Sequence, residues 1–169
     1  FAGSLGKPAQ IFGELQSWLA SVHEPLQLVC GDFEDLDGHS LQGRALADDY
    51  SFALVRAACT ELQARITRDP DSAAGMLLDF IDKQHYSFAT LSDRGILVQH
   101  CEGTQLSTLG EYQAMSSKDG SQRMLARRSE RRVTLLVEER ETASFEVAGD
   151  RLGLAVEKGA ARFVEVSWK

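Results

Sequence analysis

The chain has 169 residues, 43% of them hydrophobic and 25% charged. That is one domain's worth, enough to bury a core without disulfides or a metal. Its 18 lysines and arginines face 25 aspartates and glutamates, for a net charge of -7, which argues against a nucleic-acid binder, whose binding face is basic. No apolar run approaches the ~20 residues a membrane helix needs. Neither an initiating Met nor a signal-peptide pattern stands at Phe1-Ala2-Gly3-Ser4, so the chain reads as a soluble, processed or trimmed piece whose membrane contact would come only through segments outside it.

In chain order, residues 8–22 predict an amphipathic helix, because Ile11, Phe12, Leu15, Trp18, Leu19 and Val22 recur at helical spacing and Pro8 suits a first turn. A strand is expected at 26–30, followed by an acidic loop that holds Asp32, Glu34, Asp35 and Asp37. Phe52, Val55, Cys59, Leu62 and Ile66, spaced 3, 4, 3, 4, predict a helix over 49–66 capped by Asp48 or Asp49. A third helix is expected over 73–84, capped by Ser72 and carrying Met76, Leu77, Phe80 and Ile81. Strands follow near 95–101 and 132–138, separated by a polar stretch, 102–122, read as loop, and by a basic run with Arg123, Arg127, Arg128, Arg131 and Arg132. The tail, 143–169, alternates with period two and turns at Gly149-Asp150 and Lys158-Gly159, so antiparallel strands are expected there. The whole predicts helices packed on one sheet.

The chemical motifs are sparse. Asp35-x-Asp37-Gly38 has the look of part of a calcium loop, but Phe33 and Arg44 stand where the first and last ligands belong. His23, His39, His85 and His100 show no metal-ligand spacing, and His100 and Cys101 are neighbours whose side chains point to opposite faces of a strand. Cys30, Cys59 and Cys101 read as small buried apolar residues. No nucleophile elbow, phosphate loop or dinucleotide fingerprint is present. The expectation is therefore a binding protein rather than an enzyme, with no catalytic residue, metal or cofactor. The arginine run reads either as a solvated face or as an anion-binding surface, since the guanidinium fork matches a carboxylate.

Several strings, in order, resemble the OmpA-like domain of OmpA, peptidoglycan-associated lipoprotein and MotB-type proteins. They are Phe1-Ala2-Gly3-Ser4 before the first helix, Leu28-Val29-Cys30-Gly31-Asp32, the run Asp49 through Arg56-Ala57, Glu102-Gly103, and Arg127-Arg128-Ser129-Glu130-Arg131-Arg132-Val133. The resemblance spans roughly residues 1 to 138. It implies an α+β fold, a βαβαββ helix-on-sheet sandwich with an extra helix and a C-terminal antiparallel β extension, divided as an OmpA-like domain over 1–140 and an extension over 141–169. It also implies a periplasmic cell-envelope module that binds the stem-peptide carboxylate of peptidoglycan. The implied ligand-binding residues are Arg56, Glu34, Asp35, Asp49 and Arg127. The sequence departs from the pattern in its longer acidic loop, in the absence of the family's His and Thr beside the turn, and in Asp49 and Glu130 where the family has Asn. The alternative within the same resemblance is a degenerate copy that contacts another envelope protein.

Overall fold

Burial alternates with period two over 61–66, 122–126, 132–137 and 160–164 and is unbroken over 51–55 and 74–80, and the backbone is extended in both kinds of run. The computed structural model describes residues 26–35, 40–45, 49–55, 58–114, 117 and 119–169. Every regular element among them is a β-strand: β1 (Leu26–Cys30), β2 (Asp32–Asp35), β3 (Ser40–Arg44), β4 (Ser51–Val55), β5 (Glu61–Arg68), β6 (Ala73–Asp82), β7 (His85–Ser92), β8 (Gly95–Glu102), β9 (Gln105–Tyr112), β10 (Ser121–Ser129), β11 (Arg132–Val137), β12 (Arg140–Glu146), β13 (Gly153–Lys158) and β14 (Ala160–Trp168). They form two seven-stranded antiparallel sheets. Sheet A has the order β1-β4-β13-β6-β7-β8-β9 and sheet B the order β12-β11-β10-β5-β14-β3-β2. The α+β expectation is thus overturned by a two-sheet β-sandwich.

The expected helix over 49–66 is instead β4, a connection and β5. The reason lies in the spacing. Leu62 and Ile66 are four apart, which satisfies a strand's period of two as well as a helix's turn. In β5 Leu62, Ala64 and Ile66 are all buried while the residues between them are not. In β4 all five positions are buried, so Phe52 and Val55 belong to different faces of a covered strand. The expected helix over 73–84 is β6, whose Met76 and Leu78 face sheet B while Leu77 and Phe80 face the other way. Ser72 caps no helix; its hydroxyl accepts the N–H of Ala160 at 3.0 Å. The helix expected at 8–22 lies outside the described residues.

The strands expected at 26–30, 95–101 and 132–138 correspond to β1, β8 and β11. The polar stretch read as loop contains β9, an exposed edge strand. The basic run belongs to β10 and the turn after it. There Met124 and Ala126 point inward, and Arg123 and Arg127 lie on the opposite side. The tail is antiparallel, but it is no extension: β13 sits between β4 and β6, and β14 between β5 and β3. The β13–β14 turn is tight because Gly159 takes φ +70°, where a side chain is costly.

The main core lies between the sheets. Leu62, Ile66, Met124, Leu135 and Phe163 from sheet B meet Met76, Leu78, Leu91, Val98 and Leu154 from sheet A, each at most 1% exposed. The other face of sheet A carries a second cluster in which Phe52, Tyr86 and Phe88 pack ring against ring at 5.0–6.1 Å with Tyr50 and Phe80 beside them. The connection from β12 to β13 crosses between the sheets and is pinned by Asp79 of β6. Its buried carboxylate accepts the N–H groups of Ala148 at 3.2 Å and Gly149 at 2.6 Å.

Candidate functional site

Of the residues implied by the OmpA-like resemblance, Arg127 lies far from Glu34 in the structure. Glu34 is exposed on β2 and pairs with Arg44 at 3.2 Å, which also lies 3.5 Å from Asp32. Asp35 ends β2, opposite Leu41 in the β2–β3 register. Asp49 is exposed just ahead of β4. Arg127 lies on β10 beside its cross-strand neighbour Glu61, to which its Nε donates at 3.3 Å. Between β10 and β2 stand β5, β14 and β3, so Arg127 and Glu34 are separated by at least roughly 19 Å across the sheet at about 4.8 Å per strand. Arg56 lies outside the described residues. The arginines of sheet B's outer face are committed to a ladder of glutamates: Arg65 and Arg123 to Glu165, Arg127 to Glu61. This is the solvated-face alternative for the basic run, with the helix replaced by a strand.

Two groups of aromatic residues remain to be weighed. The cluster on sheet A is closed, with Phe88 at 0% and Phe52 at 3% exposure, so its ring faces are occupied by neighbouring side chains. Burial pushes the Tyr86 hydroxyl well above its ordinary pKa, aided by a hydrogen bond with Cys101. It raises Tyr50 as well, helped by the negative charge of Glu157. The thiols of Cys30 and Cys59 are raised by burial, and all three cysteines are free. These groups are buried polar handles of a packed layer.

The second location is open. At one side of the sandwich the end of the edge strand β9 and the start of the edge strand β12 line a cleft of about 440 Å³. Ile96, Tyr112 and Val137 supply its apolar lining. Glu111 and Gln113 come from β9 and the residue after it, and Arg140, Glu141 and Thr142 from the start of β12. Tyr112 is half-buried and packs against the main core. Its ring is laid along its own strand over Gly110, where a Cβ would come within 2.7 Å of the ring carbon Cζ. Glycine at 110 is therefore what lets the ring lie flat. Among the described residues the Tyr112 hydroxyl has no hydrogen-bond partner, and Glu111, Gln113, Arg140 and Glu141 are exposed around it. The cleft thus offers one fixed aromatic ring, two carboxylates, an amide, a guanidinium and a hydroxyl. Sequence reasoning missed it because an exposed edge strand shows no apolar alternation: 105–112 carries Ser, Thr, Gln and Gly where a buried strand would carry Val or Ile.

No known family and no curated protein sequence matches this chain. Solved structures do match it in fold. The carbohydrate-binding module CBM66 from Bacillus subtilis superimposes with a TM-score of 0.69 at 19% identity, over 85% of this chain and 94% of that one. The GH43 protein BlXynB from Bacillus licheniformis gives 0.65 at 15% identity, over 82% of this chain and 35% of its own length. A putative glycosyl hydrolase from Parabacteroides distasonis gives 0.59 at 9%, over 83% and 86%. At these identities what is shared is the fold, a two-sheet β-sandwich. It replaces the OmpA-like assignment and the two functional readings built on it, the module binding the peptidoglycan stem peptide and the degenerate OmpA-like copy contacting an envelope protein.

Proposed function

We propose that this chain is a glycan-binding module whose site is the cleft between β9 and β12. The observation that carries the reading is Tyr112, a half-buried ring held flat over Gly110 in an open cleft rimmed by Glu111, Gln113, Arg140 and Glu141. A sugar ring has an apolar C–H face and a rim of hydroxyls that both donate and accept. An immobile aromatic face matches the first, and carboxylate, amide and guanidinium side chains match the second. The likeness in fold to a carbohydrate-binding module supports the same reading.

The module is proposed to be non-catalytic. Glycoside hydrolysis uses two carboxyl groups, one kept protonated by burial so that it can act as an acid. Glu111 and Glu141 both line the cleft, but both are exposed, so neither has the desolvation that role needs.

The test is binding to a panel of immobilised poly- and oligosaccharides, followed by calorimetry on any hit. Tyr112→Ala is expected to weaken binding at least about tenfold, about 1.4 kcal/mol, since an aromatic stacking contact contributes that order of energy. Because the ring is half-buried against the core, the variant also loses packing, and its Tm is expected to fall by a few degrees while the chain stays folded at the assay temperature. Wild-type protein that retains no glycan, or a Tyr112→Ala variant that binds as well as wild type, overturns the assignment. Release of reducing sugar from a bound glycan overturns the non-catalytic part alone.

A further inference from the structure

Among the described residues each sheet ends in two edge strands, and an edge presents unpaired backbone N–H and C=O groups to which another strand can add. Three of the four edges carry features that blunt such pairing. β1 is five residues long and bulged at Leu28/Cys30. β2 is four residues long, with Asp32 and Glu34 ion-paired to Arg44. β12 opens on Arg140 and Glu141, closes on Glu146 and is bulged against β11.

β9 differs from all three. It runs for eight residues, and its first five positions are all exposed. It contains no Lys, Arg or Pro and a single carboxylate, Glu111. Leu106 and Leu109 stand 42% and 49% exposed on it. Its one irregularity, opposite Val98/Gln99, falls after Thr108, so residues 105–108 pair regularly with β8 and form an extended run. Although bulged at Leu109, β9 is longer and less charged than the other edges and carries exposed apolar side chains, which makes it the edge best suited to strand addition.

We propose that β9 is a self-association edge: two copies of this chain pair β9 against β9, antiparallel about a twofold axis, and so join their two sheets A into one. Charge favours a second copy in this orientation. The lone carboxylate lies near one end of the strand, so antiparallel pairing carries the two Glu111 side chains to opposite ends of the ladder, where they do not face each other. Ser107 and Thr108 lie near the centre, and residues of this type pair well across an antiparallel ladder. Leu106 and Leu109 of each copy are drawn out of water. A twofold contact uses the same surface on both copies and closes on itself, so association stops at the dimer. The inference does not rest on the glycan reading, although Glu111 and Tyr112 at the end of β9 also line the proposed glycan cleft.

The experiment is sedimentation velocity on the full chain from micromolar to millimolar concentration, with amide hydrogen exchange followed on β9. The expected result is a monomer–dimer equilibrium in which the β9 amides become protected as concentration rises. Leu106→Lys and Leu109→Lys, both at exposed positions, should each raise the dimer dissociation constant by about tenfold or more while circular dichroism stays unchanged. Leu28→Lys, at an exposed position on the opposite edge of sheet A, should leave the equilibrium as it was. A chain that stays monomeric to millimolar concentration overturns the proposal and leaves the edge to a strand from some other protein. A dimer that persists in both β9 variants, or that is lost in Leu28→Lys, overturns it equally.

Discussion

Asp79 gives the sharpest check on how the two sheets are tied together. Its side chain, 3% exposed in the middle of β6, accepts two backbone N–H groups from the connection that brings the chain from β12 in sheet B to β13 in sheet A. Asp79→Ala removes both acceptors and leaves Gly149, which is buried, with an unpaired donor. A hydrogen bond to a charged group contributes roughly 1.5–3 kcal/mol. Ala148 is exposed, and water can replace its longer bond. The Gly149 bond then accounts for most of the loss, and the expected total is about 3 kcal/mol. For a chain of this size that corresponds to a fall in Tm of roughly 6–12 °C. Asp79→Asn keeps one carbonyl oxygen for Gly149 and should cost about half as much. The assay is equilibrium urea unfolding, with hydrogen exchange at Ala148 and Gly149 to show that the connection itself loosens. An Asp79→Ala variant that loses less than about 1 kcal/mol, or that exchanges these two amides no faster, would refute the account of Asp79 as the pin of this crossing.

Gln99 lies 9% exposed on β8, and its Oε1 is buried without a hydrogen-bond partner. Gln99→Met keeps the volume and removes the stranded acceptor, so it should be neutral or stabilise the chain by about 1 kcal/mol in urea unfolding; a comparable loss would mean that the oxygen has a partner. The exposed Asp119 carboxylate accepts the N–H and the hydroxyl of Ser121 and the hydroxyl of Ser117, at 3.1, 2.8 and 2.9 Å, and these bonds hold its pKa at about 2 against an ordinary 3.8. Because the folded value is depressed, its contribution to stability is present above about 3.8 and is lost as pH falls through about 2. An NMR titration of Asp119 should show that low midpoint, and Ser121→Ala should move it back toward the ordinary value; a midpoint near 3.8 in the parent chain would show that the three bonds do not persist in solution.

What the sequence determined by itself is local. Period-two alternation at 133–137 and along 160–168 located β11 and β14, because a strand with one face in the core must alternate whatever it pairs with; Leu152, Leu154 and Val156 located β13 by the same spacing, although Gly153 and Ala155 between them are buried as well. Gly159 marked its turn because only a residue without Cβ adopts that φ cheaply. Tertiary structure decided the rest. Leu62 and Ile66 fit either period, and it is pairing with β10 and β14 that makes β5 a strand. β4 and β6 are apolar on both sides because one face of sheet A meets sheet B while the other holds the Phe52–Phe88 layer. A run that is buried on both faces loses the alternation by which a strand is recognised. The sheet order lay beyond any local pattern, since β13 enters between β4 and β6 from about a hundred residues and about eighty residues away in the chain. The cleft followed from that order. Tyr112 and Arg140 stand at the rims of different sheets, and neither residue carries a sign in its own neighbourhood that the other will be there.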